Sequence, residues 1–198
     1  QGYKEIIPYA GPFAIQPPVN ARKAGPKLKA VYPGDNKLLQ SIEEAIEAAG
    51  LKDGMTISFH HALRNGDYVM NMVIPIIARM GFKGLTLAPS SLIDTNDVLI
   101  PYFEQGVIIG AEISGVRNKL GHYLTTNRLE KPTIVRTHGG RVRAIESGEL
   151  KIDVAFIAAP TCDTYGNING VQGPAACGSM GYAMVDCRMA DTVIAITD

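Results

Sequence analysis

The sequence predicts an α/β fold built on a doubly wound, mostly parallel sheet. Three observations carry that prediction. Short apolar runs of strand length recur six times after residue 37, and segments with helical spacing separate most of them. Strands that alternate with helices make βαβ units, which pair in parallel. The 198 residues are 46% hydrophobic and 19% charged, which is enough apolar chain for one sizeable core.

The elements follow in order. Leu38, Leu39, Ile42, Ala45, Ile46 and Ala49 keep helical spacing, with Ser41 and Glu44 as a capping pair and Gly50 as a stop. Lys52-Asp53-Gly54 reads as a turn into a buried strand over 55–59. Val69, Met72, Val73, Ile76, Ile77 and Met80 form the clearest apolar stripe, ended at Gly81. Pro75 inside that stripe predicts a kink or a restart. Further strands are predicted at 84–88, 107–112, 133–137, 152–158 and 192–197, with weaker helices at 97–105, 116–124 and 177–184. Residues 37–198 read as one domain.

Residues 1–36 read differently. Through residue 37 there are six basic residues against two acids, and six of the twelve prolines. Proline fixes φ and removes a donor, so this stretch is expected to be an extended basic arm. It serves either as a tether to an acidic partner or as a solvated arm over its own or a neighbouring subunit. The formal net charge of the chain is zero, which removes the usual electrostatic argument for nucleic acid. No apolar run reaches the roughly 18 residues of a membrane helix. Cys162, Cys177 and Cys187 show no CxxC pattern. They read as small core or loop residues of a reducing, cytoplasmic compartment. Gln1 is not a start methionine and Asp198 closes directly on an apolar strand, so the chain is expected to be a piece of something longer.

In doubly wound sheets, ligands bind where strand ends lead into helices. Five such loops stand out. Ser58-Phe59-His60-His61 continues into Arg64, Asn65 and Gly66, placing donors where an oxyanion could be held. Adjacent strand histidines point to opposite sides and no zinc spacing is present, so no metal site is expected. Ser90 and Ser91 end the next strand, as helix caps or as substrate contacts. Gly115 and Arg117, then His138, Gly139, Gly140 and Arg141, suit an anionic ligand or form tight turns with surface arginines. Asp163, followed by Gly166 and Asn167, is placed to hold a turn after a buried strand.

Taken together, residues 51–67, 80–88, 114–117 and 138–142 resemble the alpha subunit of citrate lyase, and 153–167 resembles the wider CoA-transferase signature. The resemblance covers about residues 30–198. It implies a three-layer αβα fold of the CoA-transferase type, of which this chain is the first of two halves with the active site between them. The implied activity moves an acyl-carrier thioester from acetyl to citrate, giving citryl thioester and acetate, through a mixed anhydride. The loop carrying His60 and His61 stands where related enzymes have a Gly-Gly-Phe oxyanion loop, so both histidines are the catalytic candidates. Ser58, Phe59, Arg64, Asn65, Gly66, Ser90, Ser91, Gly115, Arg117, His138, Gly139, Gly140, Arg141, Asp163, Gly166 and Asn167 are the candidate substrate contacts. Among these, Arg64, Arg117 and Arg141 are placed to grip the tricarboxylate by residue type and loop position.

No permanently bound cofactor is implied. Acyl-CoA, or a CoA-like prosthetic group on an acyl carrier protein, enters as substrate. The implied partners are that carrier, the other lyase subunits, the second half of the chain and further copies in an oligomer, with no nucleic acid or membrane. Two other readings stay open: a CoA-transferase using acetate or a hydroxy acid, and an isolated half-domain that turns nothing over.

Overall fold

The computed structural model describes residues 31–60, 68–126 and 129–197. Helix α1 (Ile42–Ala49) starts where Ser41 Oγ accepts the Glu44 N–H at 3.1 Å, and it stops at Gly50, whose φ of 66° is left-handed. Strand β1 (Thr56–His60) leads to α2 (Val69–Arg79), β2 (Leu85–Leu87) and a 3-10 turn (Asp94–Leu99) that runs into α3 (Ile100–Glu104). Strand β3 (Ile108–Ile113), α4 (Asn118–Thr126), β4 (Ile134–Val135), α5 (His138–Glu146) and β5 (Val154–Ala158) follow. A two-stranded hairpin, β6 (Thr161–Cys162) with β7 (Ile168–Asn169), precedes α6 (Ala183–Met189) and β8 (Thr192–Ile196).

The six long-range strands form one sheet in the order β4-β3-β2-β1-β5-β8, and every neighbouring pair is parallel. The predicted three-layer, doubly wound architecture is therefore the observed one. Strand alternation sorts the two cores. Ile57, Phe59, Val154 and Phe156 face a large core shared with α1, α2, α3 and α4. Ala155 and Ile157 face a smaller core made with α5 and α6. Chain order reverses between β1 and β5, so the crevice at their carboxyl ends is the switch point of the sheet.

Several expectations need correction. The helix expected at 177–184 lies instead at Ala183–Met189, because Gly178 and Gly181 take φ of 80° and 55° and cannot continue a helix. The loop expected around Gly139 and Gly140 is the first turn of α5. Helix α2 is a single helix that contains Pro75 rather than restarting there, and its buried side is Met70, Val73, Ile74 and Ile77 while Met72 is exposed. The three cysteines are unbridged, and burial pushes the Cys187 thiol up to about 11. Residues 1–30 of the expected arm lie outside the described residues. Its last part meets the domain at Lys37, whose N–H donates to the Thr164 carbonyl at 2.8 Å. Among the described residues no helix is long and apolar enough to cross a membrane.

Candidate active site

Strand β1 delivers two side chains to the face covered by α5 and α6. Ser58 is fully buried, and His60, two residues on, stands half-buried at the carboxyl end. His60 Nδ1 is 3.1 Å from Oγ of the buried Ser90, at the end of β2. Its Nε2 lies on the Gly181 side, where a Cβ added to that glycine would sit 3.7 Å away. Tyr182 stands edge-on to the His60 ring at 6.0 Å between centroids, and the His138 ring is 5.1 Å from that of Tyr182, tilted by 46°. Three rings from β1, α5 and the approach to α6 therefore meet beside the switch-point crevice. An open groove of about 490 Å³ between α5 and α6 starts at Gly181 and Tyr182 and continues past Val142, Met184 and Arg188.

The first turn of α5 is built for its place. Thr137 Oγ1 accepts the Gly140 N–H at 3.0 Å, and a Cβ on Gly140 would come within 2.9 Å of that oxygen. A larger residue there would require the Thr137 hydroxyl to shift. Gly139 is exposed, with open space where a side chain would stand.

Arg141 is not on the surface. It is 1% exposed, and a single nitrogen, Nη2, reaches Ser58 Oγ at 3.0 Å, the Ala88 carbonyl at 2.8 Å and Asp186 Oδ1 at 3.0 Å. Among the described residues, Arg141 Nε and Nη1 are buried without an acceptor. Burial raises the Asp186 carboxyl above its ordinary range, and Arg141 and Ser58 pull it back in part. Removal from water thus outweighs the attraction of the partner, as is common for buried pairs.

The other candidates separate into distinct groups. Phe59 turns away from the crevice and stacks on Phe156 in the larger core, with centroids 5.0 Å apart and planes 9° from parallel. The expectation that it touches substrate is corrected by the strand's alternation, which puts its ring on the opposite face from His60. Ser91 and Gly115 are half-buried at the ends of β2 and β3, and Arg117 is exposed just beyond them. Asp163 holds its own turn. Its carboxylate accepts the N–H groups of Tyr165 and Asn167 and the Asn167 side-chain amide, each at 2.9 Å, while Gly166 takes a φ of 86°. The Asn167 amide, followed by the backbone donors, holds that carboxyl below its ordinary range. His61, Arg64, Asn65 and Gly66 lie outside the described residues. Tyr182 and Gly181 were not found by sequence reasoning, because the run around them resembled a helix.

Beside this site an ionic network braces the edge of the sheet. Arg136 pairs with Glu112 and, at 3.0 Å, with Glu149, which also meets Arg143. The Arg136 hydrogen bond is the main reason the Glu149 carboxyl lies below its ordinary value of 4.5. A depressed carboxylate stabilises the fold above its unfolded value and loses that contribution as pH falls through its folded value. The expected result is a thermal midpoint whose decline below about pH 4.5 is shallower in Glu149→Gln than in wild type. Melting curves between pH 6 and pH 3 check this, and parallel curves would remove the network from the acid response.

Comparison with known proteins matches this geometry to a family. The sequence profile described as "Citrate lyase, alpha subunit (CitF)" matches residues 35–198. The citrate lyase alpha chain of Haemophilus influenzae is 52% identical over 164 residues, covering 83% of this chain and 33% of that protein. The citrate lyase alpha chain of Klebsiella pneumoniae is 46% identical over 193 residues, covering 98% of this chain and 36% of that one. A crystal structure described as the alpha subunit of citrate lyase from Streptococcus mutans, in complex with citrate, superposes with a TM-score of 0.84 at 50% identity. It covers 89% of this chain and 35% of that one. The chain thus spans about a third of the length of the relatives it matches. On the profile match and these identities, the chain belongs to the citrate lyase alpha-subunit family.

Proposed function

We propose that the chain is the first half of a citrate:acyl-carrier transferase. In the reaction, a citrate carboxylate oxygen attacks the carbonyl carbon of an acetyl thioester. The C–S bond breaks, leaving a mixed anhydride and the carrier thiolate. The thiolate then attacks the citryl carbonyl of the anhydride and expels acetate, so no proton is gained or lost overall. Each attack builds negative charge on a carbonyl oxygen, and a preorganised donor in a sheltered site stabilises it.

The observation that carries the reading is the His60 imidazole, held through Nδ1 by Ser90 at the switch point of a chain in this family. Donation from Nε2 requires the tautomer in which the Ser90 hydroxyl donates to Nδ1. Arg117 at the exposed end of the same edge is the described arginine best placed for a citrate carboxylate, together with the N–H groups that open α5. Asp163, Gly166 and Asn167 shape the hairpin that borders the crevice. In this reading the thioester is carried by a CoA-like group on an acyl carrier protein, in a cytoplasmic complex with the other lyase subunits and the second half of the chain.

The test is an exchange assay with acetyl thioester and citrate. Turnover is expected from the complete subunit and none from residues 1–198 alone. Full activity of the shorter chain would overturn its role as half a site, and an inactive complete subunit would overturn the activity itself.

A further inference from the structure

The three rings at the crevice stand on three different elements, and each has a polar neighbour one structural period further inside. Ser58 lies two residues before His60 and so on the same face of β1. Arg141 lies three residues after His138 on α5, and Asp186 four residues after Tyr182, whose carbonyl accepts the Asp186 N–H. Those inner neighbours meet one another. Arg141 Nη2 reaches Ser58 and Asp186 at 3.0 Å each, and also takes in the Ala88 carbonyl at 2.8 Å. A ring layer of His60, Tyr182 and His138 thus rests on a polar layer of Ser58, Asp186 and Arg141.

We propose that the Ser58–Arg141–Asp186 node is a positioning device for the reaction site, fixing the placement of His60 and His138 relative to Tyr182. The inference rests on the transferase reading above, and it assigns a role to three buried side chains.

The packing around the node explains why such a device is needed. Five of the ten buried residues of the smaller core under α5 and α6 are alanine, Ala88, Ala144, Ala155, Ala183 and Ala190, and the others are Ile, Leu and Val. Alanine faces are smooth. They bury apolar area yet supply few ridges to stop one helix sliding or turning against the sheet. Directional hydrogen bonds supply that constraint, and at 0–1% exposure for Ser58, Asp186 and Arg141 water does not compete for them. Net stability is a poor account of the same residues. Buried pairs are often matched or bettered by apolar groups of similar volume, and two Arg141 nitrogens here have no acceptor. What the node contributes is location. The rings lie 6.0 and 5.1 Å apart, and misplacement of a reacting group by about 1 Å can cost 10²-fold in rate.

The experiment replaces the whole node by apolar groups, Ser58→Ala with Arg141→Met and Asp186→Leu, in the complete subunit with its partners. The thermal midpoint is expected to stay within a few degrees of wild type. The kcat for acetyl-to-citryl exchange is expected to fall roughly 10- to 100-fold while KM for citrate moves less than about threefold. A folded triple variant with kcat within twofold of wild type overturns the proposal. If the triple variant does not fold, Arg141→Lys serves instead. It keeps a cation beside Asp186 but carries it on a shorter, flexible stem that does not hold one nitrogen against Ser58, Ala88 and Asp186 together, so a drop of about tenfold in kcat supports the node and an unchanged kcat overturns it. Should the wild-type subunit itself show no exchange, the transferase reading fails. The node is then judged by a crystal structure of the variant, where ring centroids displaced by 1 Å or more support it and unmoved rings overturn it.

Discussion

Asp186→Ala alone is expected to lower stability by about 3–5 kcal/mol, the loss typical of breaking a buried ion pair from one side. The cause is the partner left behind. Arg141 is 1% exposed and already has two nitrogens without acceptors. Without Asp186 its charge keeps only the Ser58 hydroxyl and the Ala88 carbonyl. For a domain of this size the thermal transition should fall by on the order of 10 °C. Thermal unfolding of the complete subunit followed by circular dichroism measures it. A shift below about 2 °C would mean that water reaches the guanidinium once the carboxylate is gone. The contrast with the apolar triple replacement is the point of the pairing. Removing one charge is severe, while removing the whole polar layer is mild.

His60→Ala should leave the fold nearly unchanged and cut exchange about 10²–10³-fold in the complete subunit, the usual cost of one oxyanion donor. His60 is half-buried at a strand end, so little core is lost with its ring. The loss should appear in kcat with a smaller change in KM, because the developing charge exists only in the transition state. Ser90→Ala should act in the same direction but less strongly, since it frees the tautomer and orientation without deleting the donor. Activity within twofold of wild type for His60→Ala would reduce the imidazole to a structural group. The oxyanion would then be held elsewhere on the same edge, with the N–H groups that open α5 as the next candidates.

How much of this could be read from sequence differs from element to element. The strands were legible because each is a short apolar run bounded by glycine or turn residues, and their spacing dictated parallel pairing. The capping pair Ser41 and Glu44 was legible because its chemistry is local. Helix α5 was not. Its sequence, HGGRVRAIE, carries two glycines and few apolar residues, and what makes it a helix is the Thr137 cap together with burial of Arg141, Ala144 and Ile145 against other elements. Arg141 shows the same limit in the candidate site. A residue list cannot tell a surface guanidinium from a buried one when the answer depends on Asp186, 45 positions away. Tyr182 was hidden by a run whose apolar spacing suits a helix, although Gly178 and Gly181 argued against one. Phe59 was misassigned for a simpler reason, since neighbours on a strand face opposite layers and His60 already occupied the crevice side.

The position of the crevice also decides when it can exist. Strand β1 pairs with β2 through Thr56 and Thr86 but with β5 through Ile57 and Val154, and the Thr56 N–H bonds Asp153 Oδ2 across 97 positions. Closing a loop roughly three times longer costs about 1 kcal/mol more before any contact rewards it. Sheets dominated by such distant pairings fold slowly. During synthesis, the half carrying α1 to β4 can gather on its own side of the sheet while the central seam waits for β5. The candidate site is thus assembled at the sheet pairing that closes the longest loop, and its two walls meet later than the pairings on either side of it.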